Sequence, residues 1–318
     1  MELDKLTKNE LFIKCQELNI TKYKSKTKSE LIEMINKKNS SKENQQNMQN
    51  NKLIVLKHLK PLVKWSGGKN DEIKLFEKYF PKDYKTYIEP FVGGGSVFFY
   101  INSHTHNVIS DIHTELIDFY KSIGNGNGKE IYDFMKNSPN DETTYYKIRD
   151  ELKINNELDN AKRFYYQRKT CFRGMLRYNK NGKFNIPFGK YKTINYEDLI
   201  NSDYENLLSR TEILNKNFEY IFENYNDENN FVFLDPPYDS QFCDYGYCIF
   251  GKEEHIKLAT LFKTTKNKCL MIIGKTKFIE DLYNEYIVDE YEKKYKFKIY
   301  DKRVGSEINT KHLIIKNY

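Results

Sequence analysis

From residue 53 onward, short apolar runs alternate with stretches of helical periodicity: strand candidates fall at 86–92, 107–111, 230–234 and 269–273. Strands separated by crossover helices pair in parallel, and their buried faces need helices on both sides, which predicts an open α/β sheet. Such a sheet presents its functional residues at the carboxyl ends of the strands. Three runs end distinctively: the first in Gly93-Gly-Gly95, the second in Asp111, the third in Asp235-Pro-Pro-Tyr238. Residues 119–228 break the alternation with helical, aromatic and basic sequence, which predicts a large insertion carried by the sheet.

A chain of 318 residues has room for one large domain and a small one. The small one is expected at 1–38, where Thr7-x-x-Glu10 and Thr27-x-x-Glu30 are capping-box patterns. Each opens an apolar run: Leu11, Cys15 and Leu18, then Leu31, Ile32 and Ile35. Between them lie Lys22, Lys24, Lys26 and Lys28, so the order is helix, basic loop, helix, which resembles a SAP-type DNA-binding module. A protein-interaction hairpin is the alternative. Residues 39–56 begin as a polar, low-complexity stretch and are expected to be a flexible linker, leaving 57–318 as the main domain.

The net charge of +7 suits a polyanionic partner without requiring one. No apolar run is long enough to span a bilayer, and the charged N-terminus lacks a signal core, so an intracellular, cytoplasmic protein is expected. Cys15, Cys171, Cys243, Cys248 and Cys269 include no C-x-x-C pair and no zinc spacing, so reduced thiols and no metal site are expected.

Glycines after the first strand let a ligand approach backbone where a Cβ would clash, and the following helix start offers free N–H groups. The turn is neither a dinucleotide fingerprint nor a phosphate loop, and alone it also reads as a tight strand–helix turn. Asp111, about twenty residues further on, ends the second strand where α/β folds hold ribose hydroxyls, although it also suits a helix cap. Trp65, the single tryptophan, stands beside Gly67 and Gly68 and suits either the core or a pocket wall. After the third strand, Asp235 and the carbonyl of Pro236 could accept both hydrogens of an exocyclic amine, whose lone pair is otherwise delocalised into its ring. Pro236 and Pro237 stiffen these acceptors, and Tyr238 offers a flat face for an extruded base. Displacement at a sulfonium methyl by such an amine needs no metal.

From about residue 58 to the C-terminus the chain resembles the Dam-like, D12-class N6-adenine DNA methyltransferases of the α group. The resemblance is carried by Lys64-Trp-Ser-Gly-Gly-Lys69, Glu89-Pro-Phe-Val-Gly-Gly-Gly-Ser96, Asp111, Cys171-Phe-Arg-Gly-Met-Leu-Arg-Tyr-Asn179, Phe184-Asn-Ile-Pro-Phe-Gly-Lys-Tyr191, Asp235-Pro-Pro-Tyr238 and a closing strand in 313–318. It implies a Rossmann-like seven-stranded methyltransferase sheet with an inserted helical target-recognition lobe. It implies S-adenosylmethionine as cofactor, held by Trp65, Lys69, Glu89, Phe91, Gly93, Asp111 and Asp235, and double-stranded DNA as partner. Asp235, Pro236, Pro237 and Tyr238 would act on the flipped adenine. Lys64, Phe172, Arg173, Met175, Arg177 and Lys190 would meet DNA. Arg177 suits a guanine edge and Phe172 a wedge into the base stack. Lys169, Arg173, Arg177, Lys180, Lys183 and Lys190 would neutralise phosphates. Arg173 and Met175 stand where members reading GATC commonly carry Asn and Leu, and Ile272-Ile-Gly-Lys275 stands where the family often has a Ser-Asn pair. A silent DNA-binding subunit, or an enzyme acting on RNA adenine or a protein amide, are the rival readings; monomer and dimer stay equally open.

Overall fold

The structure is a computed structural model that describes residues 3, 6–17, 20, 23, 26–36, 58–239, 250–294 and 309–318. The chain divides into two compact units, Met1–Leu56 and Lys57–Tyr318. The expected linker 39–56, the lysines at 22 and 24, Leu18, and the cysteines at 243 and 248 lie outside the described residues.

In the first unit, α1 (Lys8–Glu17) and α2 (28–36) each begin at a capping box. The Thr7 N–H donates to Glu10 (2.6 Å) while the Glu10 N–H donates to the Thr7 hydroxyl (3.3 Å), and Thr27 and Glu30 repeat the exchange. Each reciprocal pair satisfies helix-end donors that would otherwise lack partners. Leu11, Cys15, Leu31 and Ile35 bury completely against one another, with Leu3, Leu6, Ile20, Tyr23 and Ile32 packed around them.

The second unit is built on a seven-stranded sheet. Its strands are β1 (Thr86–Glu89), β2 (His106–Ser110), β3 (Thr211–Leu214), β4 (Asn230–Leu234), β5 (Lys268–Gly274), β6 (Ile287–Lys294) and β7 (Asn309–Lys316), in the order β3-β2-β1-β4-β5-β7-β6. The first five pair in parallel and β7 runs antiparallel to both β5 and β6. Consecutive residues of a strand face opposite ways. Accordingly Tyr87, Phe231, Phe233, Leu270, Ile272 and Ile314 feed one core, and Ile88, Val232, Leu234, Met271, Ile273, Leu313 and Ile315 feed the other. Burial on both faces explains why β4 and β5 read as unbroken apolar runs. Each such side chain taken out of water contributes about 1.5–3 kcal/mol.

The first core is shared with α4 (Ser96–Ile101), α5 (Thr114–Gly124), α6 (Gly128–Asn137), α7 (Glu142–Glu151), α8 (Glu157–Thr170) and α9 (Ser202–Ser209). The second is covered by α10 (Phe218–Asn224), α11 (Lys252–Thr264) and α12 (Lys277–Tyr283), while α3 (Ile73–Phe76) precedes β1 on the first side. Two features differ from the sequence reading. Within 119–228, Thr211–Leu214 returns to the sheet and pairs with β2 from Asn107↔Thr211 to Ser110↔Leu214. The helices of that interval also have no core of their own: Ile131, Tyr145, Phe164, Cys171 and Phe188 extend the sheet's first core. No helix among the described residues is long and apolar enough to cross a membrane.

Candidate active site

β1 and β4 are paired neighbours in register from Thr86↔Asn230 to Ile88↔Val232. The turns that follow them therefore leave the same edge of the sheet, one into the glycines and the other into Asp235. Residues 64–69 lie across both. The Trp65 ring packs on the glycine turn so closely that a Cβ at Gly93 would fall 2.7 Å from it, and Gly93 itself holds φ +45°, a conformation few other residues adopt. At the far end of the segment, Lys69 Nζ donates to Asp235 Oδ1 at 2.5 Å and to the Gly67 carbonyl at 2.8 Å.

The carboxylates at this edge are poorly hydrated. Burial pushes Glu89 up to about 8, beyond what the Tyr87 hydroxyl bond (2.7 Å) and Lys69 offset, and the negative charge of Asp235 adds to the rise. Asp111 rises to about 6 through burial, although the His113 N–H (2.9 Å) and the Gly93 N–H (2.9 Å) both donate to it. Burial also raises Asp235, opposed by the charge and hydrogen bond of Lys69. An acid whose folded pKa lies above its unfolded value contributes most stability below the unfolded value and loses that contribution as pH climbs to the folded one. The melting temperature of the unliganded protein should therefore fall as pH rises from about 4.5 to about 8. Glu89→Gln should flatten that fall; an equally steep slope in thermal scans of the variant would assign it elsewhere.

Tyr238 closes the site. Its ring lies against Gly274, where a Cβ would come within 3.2 Å of it, and Lys69 Nζ stands 5.2 Å from the ring centre. A side chain at Gly274, where a Ser-Asn pair is common in the resembling family, would press on the ring. Behind Tyr238 the His312 ring meets it edge-on at 5.3 Å. His312 Nδ1 donates to Glu72 (2.8 Å), which also receives Tyr291 and Lys293. Burial pushes Glu72 up, but His312, Lys69 and Lys293 together hold it down at about 2.

The 171–191 segment folds as an irregular hairpin with bridges Cys171↔Phe188 and Tyr178↔Phe184. Lys64, Phe172, Arg173, Arg177 and Lys190 are exposed on it or beside it, while Met175 is half-buried. Lys169 is half-buried over the Tyr165 ring, and burial lowers its pKa. Phe91 stacks on Phe218 at 5.6 Å with Phe250 against its edge.

Four side chains escaped the sequence reading. Arg168 is buried and donates to the carbonyls of Lys64, Gly174 and Met175, with its guanidinium 5.6 Å from the Trp65 ring. Its signal was a lone arginine in the aromatic run Phe164-Tyr-Tyr-Gln-Arg168. His113 caps α5, a role visible as the residue ahead of Thr-Glu-Leu. Glu72 and His312 are 240 positions apart and left no local signal.

Residues 65–299 match the family model described as D12 class N6 adenine-specific DNA methyltransferase. The type II methyltransferase M.CviBI of Paramecium bursaria Chlorella virus NC1A is 62% identical over 261 residues, 82% of this chain and 100% of that protein. The type II methyltransferase M.MjaIII of Methanocaldococcus jannaschii is 34% identical over 74% of this chain and 88% of its own length. A DNA adenine methylase of Haemophilus influenzae is 31% identical over 72% of this chain and 84% of its length.

Proposed function

Because the chain belongs to the D12 class of N6 adenine-specific DNA methyltransferases, we propose that the edge formed by Trp65, Gly93, Asp111, Asp235 and Tyr238 transfers a methyl group from S-adenosylmethionine to N6 of an adenine swung out of duplex DNA. The observation that carries this reading is the pairing of β1 with β4, which brings the glycine turn and the Asp235 turn to one edge under a single spanning segment, 64–69.

The donor fits the residues present. Gly93 and Gly94 let the Trp65 ring lie directly against the turn, and Asp111 presents a buried carboxylate suited to ribose hydroxyls. Glu89, Phe91 and Lys69 complete the surroundings named by the resemblance. When bound, S-adenosylmethionine supplies an electrophilic methyl on a sulfonium.

The chain's own groups do the rest. Asp235 Oδ1 is held by Lys69, which leaves Oδ2 to accept one hydrogen of the amine, and the Pro236 carbonyl accepts the other. With both hydrogens held, the nitrogen lone pair is drawn from the ring toward the methyl. Acceptors fixed in advance are worth more than mobile water in a poorly hydrated site. Pro237 keeps Pro236 rigid, and Tyr238 stacks on the base. The exposed Lys64, Phe172, Arg173, Arg177 and Lys190, with Met175 beneath them, form the DNA-facing surface; Arg177 reads a base edge and Phe172 fills the space the adenine leaves. Incubation with labelled donor and mixed-sequence duplex, followed by digestion to nucleosides, should place the label on adenine N6. Label on another base, or none from folded protein, would overturn this reading.

The N-terminal unit is read as a DNA-binding addition. M.CviBI is matched along its whole length over 261 residues, about the length of unit Lys57–Tyr318 alone. The unit has its own buried core and two capped helices, with Lys22, Lys24 and Lys26 between them in the sequence and Lys28 opening the second. Deleting residues 1–50 should weaken DNA binding, and the slope of log K against log salt should drop by about two to four, while transfer at saturating DNA persists. Unchanged affinity and slope would assign the unit to a protein partner instead.

A further inference from the structure

His113 joins two parts of the molecule that the chemistry keeps separate. Its main-chain N–H donates to Asp111 Oδ1, and its ring Nδ1 accepts the N–H of Leu116 (3.2 Å), capping α5. With Nδ1 an acceptor, the proton of the neutral ring sits on Nε2. Burial pushes His113 down to about 4, which keeps the ring neutral near pH 7. Nε2–H therefore donates to the Tyr178 hydroxyl (2.6 Å), which donates onward to Glu115 Oε2 (2.6 Å). Arg163 anchors the other oxygen of Glu115 at 2.8 Å. Arg163 Nη2 donates to Asn160 Oδ1 (3.0 Å) as well. The His113 ring also meets Trp65 edge-on at 5.4 Å.

Tyr178 is the neighbour of Arg177 on the 177–185 hairpin. Adjacent residues of an extended segment project to opposite sides, so Tyr178 turns in toward His113 while Arg177 is exposed. The Asn185 N–H donates to the Arg177 carbonyl and the Arg177 Nε–H to Asn185 Oδ1, so the two arms of the hairpin are tied together beside the Tyr178 anchor. A cleft of about 690 Å³, lined by His113, Glu115, Arg163, Tyr178 and Lys183 among others, runs beside this series, so the hairpin has space into which to shift.

We propose that His113 and Tyr178 form a positioning pair that ties the hairpin carrying Arg177 to the methyl-donor pocket, so that filling the pocket sharpens discrimination between DNA sequences. This rests on the roles given to Asp111 and Arg177 above. A ligand on Asp111 and Trp65 bears on both sides of His113, and the Tyr178 bond passes any change in the ring to the hairpin. Because coupling between sites is reciprocal, the donor must in turn bind the complex with the correct DNA more tightly than the complex with the altered DNA, by the same factor.

Two substitutions isolate the link. Tyr178→Phe keeps the ring and loses the hydroxyl. His113→Asn keeps a side chain that caps α5 but is too short to reach Tyr178. The test measures Kd for a duplex bearing the sequence that the unaltered enzyme methylates and for one with a single changed base pair, each with and without S-adenosylhomocysteine, which cannot react. In the unaltered protein the ligand should raise the affinity ratio of the two duplexes by about fivefold or more. Both variants should reduce that gain to less than about twofold, and Tyr178→Phe, whose lost hydroxyl lies outside the donor pocket, should bind S-adenosylhomocysteine alone as the unaltered protein does. A full gain in either folded variant, or no gain in the unaltered protein, overturns the proposal. If the unaltered enzyme methylates neither duplex under the same conditions, the reading of the active site fails instead.

Discussion

Replacing Asp235 by alanine should lower the rate of methyl transfer about a thousandfold or more, with a much smaller change in donor affinity. The amine then loses one of its two fixed acceptors, and water cannot replace it in place at an edge where Glu89 and Asp111 are already poorly hydrated. The substitution also strands Lys69, 1% exposed, without its carboxylate. Removing one partner of a buried pair costs about 3–5 kcal/mol, so the assay must run well below the variant's melting temperature. Asp235→Asn separates the two effects: it keeps an acceptor and the shape, so it should retain more activity than alanine. Rates for Asp235→Ala within tenfold of the unaltered enzyme would refute the assigned role.

The second large effect is expected at Lys69. Burial raises Asp235, and Lys69 opposes that rise. Lys69→Met removes the opposing charge, so Asp235 should take up a proton at higher pH. A protonated carboxyl no longer accepts from the amine at full strength. The acid limb of the rate profile should therefore move up by about one to three pH units, and activity should recover on the alkaline side. Stability at neutral pH should fall by about 3 kcal/mol, as in any buried pair that loses one member. A lower rate with an unmoved acid limb would mean that Lys69 serves the donor rather than Asp235.

Legibility differed from element to element for physical reasons. β4 reads to the residue, Asn230–Leu234, because burial on both faces makes it continuously apolar and Asp-Pro-Pro terminates it. β3, Thr-Glu-Ile-Leu, is four residues long at the sheet edge with only Thr211 fully buried, so its strand character comes from pairing with β2 rather than from its own pattern. β6, Ile-Val-Asp-Glu-Tyr-Glu-Lys-Lys, is the other edge strand and is largely polar, as an exposed edge has to be. In the site, Asp235 and Asp111 are visible because each directly follows a strand, and Gly93 because it opens the glycine turn beyond β1. The Lys69–Asp235 pair joins residues 166 apart, so only the tertiary fold brings the two together. The same holds for Arg168, whose three carbonyl partners lie on two separate segments.

The most direct test is a crystal structure of the protein with duplex DNA and a non-reactive donor analogue. One adenine should stand outside the helix, its N6 within about 3 Å of both Asp235 Oδ2 and the Pro236 carbonyl, with its ring on Tyr238 and the analogue over the turn at Gly93. An adenine still stacked in the duplex, or an N6 held by other groups while Asp235 contacts only Lys69, would contradict it.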